Sequence, residues 1–408
     1  MASALPPKRA FLAFPWDLLA EPVETTLKVM QDTYLSDAVA IAGSSHQARL
    51  FNPRSDHGHY MERPTSTLAF QPDLSLYPPE GPWPVVDPMT ADPAILTQAR
   101  DAAEKLDMQF DVWLVTLHSS TLGQAHPDLC AQNLSGDRYS FSLCPSQPRV
   151  RGYAVGLLRD ICRQVHPHTL ILESASFMPA SHASYHSSIL TPIGETAQWL
   201  LGLCFCSSCL ARAHASDVDA LGALYDARQL LPSLLSEGSD SLPDARQPSP
   251  LSAILVGWPR LRAYAEMRMG IVTSLLHEMT QVARETGARV EVIVNADLEH
   301  VGHAWTLGLD IGKLGEAVDG AIVQGGRLSR GSAQGETCSL RALAPNLPVS
   351  VTLDGGYPTT PDRDTLVANA LAAAEASAQA IRYQNWGLLS SQRLDWVRAA
   401  NAALLGLA

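Results

Sequence analysis

Eight short runs rich in Val, Ile, Leu and Ala recur along the chain, separated by segments of helical period, and this alternation restricts the fold more than any other feature. The runs lie at residues 10–14 (AFLAF), 37–43 (DAVAIAG), 110–117 (FDVWLVTL), 169–175 (TLILESA), 289–296 (RVEVIVNA), 320–325 (GAIVQG), 348–354 (PVSVTLD) and 378–384 (AQAIRYQ). Helical patterns fall at 23–34, at 92–107 with Asp92 as N-cap and Pro93 in the first turn, at 148–165, at 259–287 ending on Gly287, and at 360–379 opening on Thr360-Pro361. Eight such runs alternating with helical segments imply an α/β fold, a single (β/α)8 TIM barrel over residues 1–408. An open doubly wound sheet would carry a Gly-rich phosphate turn after its first strand, where this chain has FPWDLL.

Two stretches exceed a minimal barrel. Residues 44–90, rich in Pro, His and Tyr, form an insertion after strand 2. Residues 176–252 form a second after strand 4, carrying a cysteine cluster and then SEGSDSLPDARQPSP, a composition expected of a mobile loop. Both leave from strand C-terminal ends, where barrel enzymes build their sites.

Lys and Arg number 29 against 41 Asp and Glu, a formal charge of −12 with no basic block. That balance disfavours nucleic acid and anionic membranes as partners. The first apolar run is broken by Pro15 and Asp17, and nowhere do eighteen apolar residues run together, so the reading is a soluble, cytoplasmic protein. Thiols stay reduced there, which weakens a disulfide reading of the seven cysteines.

Three of those cysteines fall in CFCSSC: Cys204, Cys206 and Cys209. They read either as small core residues or as three thiolate ligands of a structural, closed zinc site. The fourth ligand would be Cys144 in SLCPSQP, with Cys130 in reserve. The paired motifs CFCSSC and CPSQPRVRGY resemble the four-cysteine zinc site of the family 42 β-galactosidases and related barrel glycoside hydrolases, over about residues 110–215. The family's acid/base lies in an Asn-Glu pair close before the cysteines, whereas Glu173 follows Leu172, well upstream of Cys204.

The resemblance implies a glycosidase whose carboxylates stand at the ends of strands 4 and 7. Glu173 is then the acid/base and Asp354 the nucleophile of a retaining reaction, with Asp297 as reserve second carboxylate and inversion as its consequence. Other strand-end residues suit a sugar: Trp16 and Asp17 after strand 1, Ser44, Ser45 and His46 after strand 2, His118 after strand 3, Asn295 and Asp297 at strand 5, Gln324 at strand 6, and Tyr383, Asn385 and Trp386 at strand 8. His182 and His186, four apart, read as substrate contacts or loop packing ahead of metal ligands. His57, His59, Tyr60 and Arg63 read either as an ordinary solvated loop or as a lid over the sugar, and Arg49, Arg54 and Arg63 could bind one carboxylate. The expected substrate is a small oligosaccharide or glycoside, and self-association into a homo-oligomer is compatible with the chain. Two rival readings stand beside this one. A metal-dependent sugar isomerase or epimerase would use Glu173, Asp297 and His118 as ligands of Mn²⁺ or Mg²⁺. A barrel that binds carbohydrate without catalysis would need no carboxylate pair.

Overall fold

Eight parallel strands close into a barrel in the computed structural model, which describes residues 6–56, 58–88, 94–182, 193–236, 250–294, 298, 300–324 and 332–407. The strands are β1 (Lys8–Ala13), β2 (Ala38–Ala42), β3 (Gln109–Val115), β4 (Thr169–Glu173), β5 (Arg289–Ile293), β6 (Gly320–Gln324), β7 (Val349–Asp354) and β8 (Ala380–Gln384). Every expected run is a strand, ending at or up to three residues before its expected boundary. Each strand pairs with its sequence neighbour, and β8 closes on β1 with Ala10 opposite Arg382. The fold is a (β/α)8 TIM barrel.

Helices return the chain between strands: α1 (Val23–Asp32), α2 (Ile95–Lys105), α3 (Pro148–Val165), α4 (Pro259–Arg284), the single turn α5 (Leu314–Ala317), α6 (Ser332–Leu343), α7 (Arg363–Glu375) and α8 (Ser391–Leu404). Helix α3 has the expected limits, with Pro148 at its first turn, where a missing N–H costs nothing. Helix α7 starts later than Thr360-Pro361 suggests, because Asp362 accepts the Thr365 N–H at 2.7 Å and is the true cap. The expected cap Asp92 and Pro93 lie outside the described residues.

Alternation along each strand splits the side chains into two layers. Outward residues such as Phe11, Val39, Ile41, Val112, Leu114, Leu170, Leu172, Val351 and Ile381 pack in the main core with the helices. Inward residues Leu12, Ala40, Ala42, Trp113, Val115, Ile171, Ile293 and Ile322 fill the lumen. Arg382, of the same inward parity, lies with Asp111 and Glu291. Its guanidinium contacts Glu291 at 3.0 Å and Asp111 at 3.5 Å, and all three groups are below a tenth exposed. Gln109 donates to both Asp111 oxygens. A buried carboxylate without a counter-charge costs several kcal/mol, about 3–5 when a partner is removed, so these charges are tenable only together.

The segments that follow β2, β3 and β4 carry regular elements of their own. After β2, strands Ala48–Phe51 and Tyr60–Arg63 form an antiparallel hairpin. After β3 comes a helix, Ser120–Ala125, and a second hairpin, Cys130–Gln132 with Arg138–Leu143. After β4, helices Glu195–Gly202, Ser207–Ala215, Ala220–Ser236 and Pro250–Gly257 gather a separate apolar cluster around Trp199, Leu200, Leu231, Leu261 and Tyr264. Most of the loop expected to be mobile, residues 237–249, lies outside the described residues. Among the described residues no helix is long and apolar enough to cross a membrane.

Candidate active site

The lumen is plugged below its C-terminal mouth, so chemistry has room only at the top. Four strands end there on a polar residue of inward parity, each half-buried: Glu173, Gln324, Asp354 and Gln384. Three were expected from the sequence. Gln384, opposite Asp354 in the β7–β8 register, was missed, although counting two residues on from the buried Arg382 points to it.

Glu173 is held by a neighbour on β3. The Trp113 indole N–H donates to its Oε2 at 2.7 Å, while Thr116 donates N–H and Oγ1–H to its backbone carbonyl at 3.0 and 2.8 Å. Asp354 accepts the Gly356 N–H at Oδ1, 2.7 Å, an Asx turn that fixes its carboxylate where the chain leaves β7.

Beyond the Trp113 indole a small cleft opens over β1–β3, lined by Phe14, Trp16, His46, Leu50, Arg63 and Trp113. The Trp16 ring packs on Phe14 (4.5 Å) and under the Arg63 guanidinium (4.5 Å). A second cleft shares Ser44, Ser45 and Val115 and continues to His118 and Ser119. Ser44 donates to the Val115 carbonyl at 2.9 Å. The β2 insertion roofs this region: Arg54 stacks on Trp386 and donates to the carbonyls of Trp386 (2.5 Å) and Leu389 (2.9 Å), tying the insertion to the β8 loop.

Three histidines from three segments meet at the β3 side. His118 stacks on His46 at 4.8 Å, and its Nε2 faces the His182 Nε2 at 3.3 Å. Burial, reinforced by those two rings, pushes the His118 imidazole down to about 2, so it stays neutral. His118 also bridges to Ser142, and Phe141 packs on both His118 and His182.

Two residues beyond Ser142 stands Cys144. Its sulfur lies 3.5 Å from that of Cys209 and 3.7 Å from those of Cys204 and Cys206, and the four thiol groups are buried within 4.8 Å of one another. Four thiolates about 2.3 Å from a tetrahedral ion sit about 3.8 Å apart, so the donor set fits a closed metal site. Hydrogen bonds from the other three thiols pull the Cys206 thiol far down. The Gln132 N–H donates to Cys204 Sγ at 3.3 Å, and Ser146 Oγ lies 3.1 Å from Cys209 Sγ. Cys130, the reserve ligand, stands outside this group and donates to the Gly123 carbonyl.

Other expected contacts lie elsewhere. Tyr383 has outward parity and is fully buried in the main core, with its ring 6.1 Å from Phe11, so it faces away from the cleft. Trp386 is packed edge-on against Phe11 and Tyr34 beneath Arg54. Asn385 sits beside it with a buried Oδ1. Asp17 caps its own turn, accepting the N–H groups of Phe14 (2.9 Å) and Gly387 (3.3 Å), and a Cβ on residue 387 would fall 1.9 Å from Asp17 Oδ1. His57, His186, Asn295 and Asp297 lie outside the described residues.

No family model matches the chain, and no curated protein matches it. Solved structures do. The α-L-fucosidase isoenzyme 2 from Paenibacillus thiaminolyticus superposes with a TM-score of 0.56 and 10% identity, covering 98% of this chain and 49% of that one. The catalytic domain of β-amylase from Paenibacillus polymyxa gives 0.57 and 10%, covering 96% and 97%. The chain thus spans about half the length of the fucosidase. At such identity the likeness is one of fold.

Asp17 makes a pH prediction. Burial raises its carboxyl from 3.8 to about 6. A folded-state value above the unfolded one means that stability is greatest below pH 4 and falls as pH rises through 6. Asp17→Asn is therefore expected to be more stable than the parent above pH 6, by about 1–2 kcal/mol after allowance for partial solvent access, and no different near pH 4. Urea unfolding at the two pH values measures this.

Proposed function

We propose that the protein is a glycoside hydrolase acting at the barrel mouth, with Glu173 as acid/base and Asp354 as nucleophile. The observation that carries this reading is a lumen-facing carboxylate at the end of β4, hydrogen-bonded by an indole N–H and set beside a cleft with aromatic walls. The fucosidase and the β-amylase whose barrels superpose on this one are both named for carbohydrate chemistry, which favours the reading further. Glu173 would protonate the departing glycosidic oxygen while Asp354 attacks the anomeric carbon, and the same Glu173 would then take a proton from water to release the sugar. The Gly356 N–H on Asp354 Oδ1 steadies the nucleophile and leaves Oδ2 to attack. Gln324 and Gln384 stand on the same parity and suit sugar hydroxyls. His46, His118 and His182 line the β3 side, His118 as a neutral donor or acceptor. The substrate class is a small oligosaccharide or glycoside.

In the same reading the four cysteines hold zinc, which has no part in the reaction. Thiolates complete its coordination, and the site fastens the β4 insertion to the hairpin that carries Phe141 and Ser142. Tyr264 on α4 adds a hydrogen bond to the Cys204 carbonyl at 2.6 Å.

Glu173→Gln is expected to lower hydrolysis of unactivated glycosides by about 10²–10⁴-fold with the melting temperature nearly unchanged. Dinitrophenyl glycosides, whose leaving group needs no proton, should lose far less, and azide should restore turnover. An equal loss on both substrate types would remove Glu173 from the acid/base role. Cys206→Ser is expected to reduce bound zinc, read by atomic absorption, from one equivalent to near zero, with a lowered melting temperature. Full metal content in that variant would contradict the tetrathiolate site.

A further inference from the structure

Five arginines are buried among the described residues, and four of them meet a carboxylate: Arg9 with Asp37, Arg63 with Asp87, Arg151 with Glu278 at 2.6 Å, and Arg382 with Glu291 and Asp111. The fifth, Arg268, is 1% exposed and has no carboxylate partner among the described residues. It occupies the apolar stripe of α4, where the buried positions run Leu261, Tyr264, Ala265, Arg268, Ile271 and Val272. Its guanidinium lies over the Phe177 ring at 4.2 Å and donates to the carbonyls of Thr306 at 3.1 Å and Gly202 at 3.3 Å, while Nε finds no acceptor. None of these partners is an anion. A guanidinium stays charged when buried, and an unanswered charge in a low dielectric is destabilising.

The cysteine group supplies an answer. Gly202, which accepts from Arg268, ends the helix that leads to Cys204, two residues on. One turn earlier on the same face of α4, Tyr264 donates to the Cys204 carbonyl at 2.6 Å, so α4 holds this segment at two points. Burial disfavours the charged guanidinium, and the groups that act to restore it are the Tyr264 hydroxyl and the sulfurs of Cys209, Cys204 and Cys144. Four neutral thiols would offer no counter-charge, whereas four thiolates around one zinc ion leave two negative charges over.

We infer that Arg268 is the counter-charge of a zinc tetrathiolate formed by Cys144, Cys204, Cys206 and Cys209, so that the buried cation and the metal site depend on each other. The inference rests on the zinc reading for the ion, and adds the residue that makes a doubly negative centre tenable inside the protein.

Zinc affinity of the full-length chain is measured under reducing conditions by competition with a chromophoric chelator, alongside melting of the zinc-loaded and zinc-free forms. Arg268→Gln, which keeps donors for the carbonyls and removes the charge, is expected to bind zinc about 10–100-fold more weakly. The loss should persist at high salt, because buried charges are screened little. Arg268→Lys, which keeps the charge, is expected to recover at least half of that loss on a logarithmic scale. Melting of Arg268→Gln should fall further in the zinc-loaded than in the zinc-free form, since only the loaded form holds the anion. Undiminished affinity in Arg268→Gln, or equal losses in the Gln and Lys variants with equal falls in both forms, would reduce Arg268 to packing and overturn the inference. Should Arg268→Gln not fold, Arg268→Met, which keeps the packing on Phe177 without the charge, takes its place with the same outcomes. If both neutral variants and Arg268→Lys fail to fold alike, the inference falls; if only the neutral ones fail, it stands. A wild-type chain that binds no zinc would remove the zinc reading and this inference with it. One equivalent bound by wild type, lost in Cys206→Ser and held undiminished by Arg268→Gln, would remove the inference alone.

Discussion

An arginine buried inside the barrel obliges the surrounding strands to answer it. Arg382 on β8 reaches Glu291 on β5 and Asp111 on β3, so three non-adjacent strands are held in one register by a charge that water does not screen. Slipping any of those strands by one residue would move its charged member into the apolar layer behind the sheet. Above this cluster come Leu12, Trp113, Ile171, Ile293 and Ile322, which close the lumen. Polar groups can face solvent only at the last position of each strand, and that is where Glu173, Gln324, Asp354 and Gln384 stand. The placement of the candidate site thus follows from how the inside of the barrel is filled.

The cysteine cluster does similar work for the insertions. The β4 insertion buries its own apolar cluster, yet it must also be fixed against the β3 hairpin, and the four sulfurs join the two. From Cys144 the hairpin leads through Ser142 and Phe141 to His118 and His182. The histidine side of the cleft is thus continuous with the four-cysteine group through that hairpin. On the opposite side, Arg54 and Asp17 bind the β2 insertion and the first turn to the β8 loop, and the two attachments together frame the mouth.

The barrel was legible because parallel strands covered on both faces appear as apolar runs, and all eight stood out against helical periods. Helix α3 could be read to the residue for the same kind of reason, with Pro148 marking its start. The gathering of Cys144, Cys204, Cys206 and Cys209 was legible from spacing and composition, and Cys130 stands outside the group. What the sequence concealed is the direction of side chains near strand ends. Tyr383 and Trp386 stand within two residues of the mouth, but parity turns the tyrosine into the outer core and the tryptophan packs beneath Arg54, while Gln384 between them faces the lumen. Contacts between distant segments were equally hidden: no local pattern announces that His46, His118 and His182 meet, or that Asp87 pairs with Arg63.

In the proposed reaction Asp354 acts with Glu173 across the mouth. A 2-deoxy-2-fluoro glycoside of whichever sugar the protein turns over, activated by a dinitrophenyl leaving group, would arrest a retaining enzyme at its covalent stage. Peptide mass spectrometry is then expected to find the fluorosugar on Asp354, with the first product released by the unmodified enzyme keeping its anomeric configuration. A label on any other residue, or an inverted product with no label at all, would contradict the pairing.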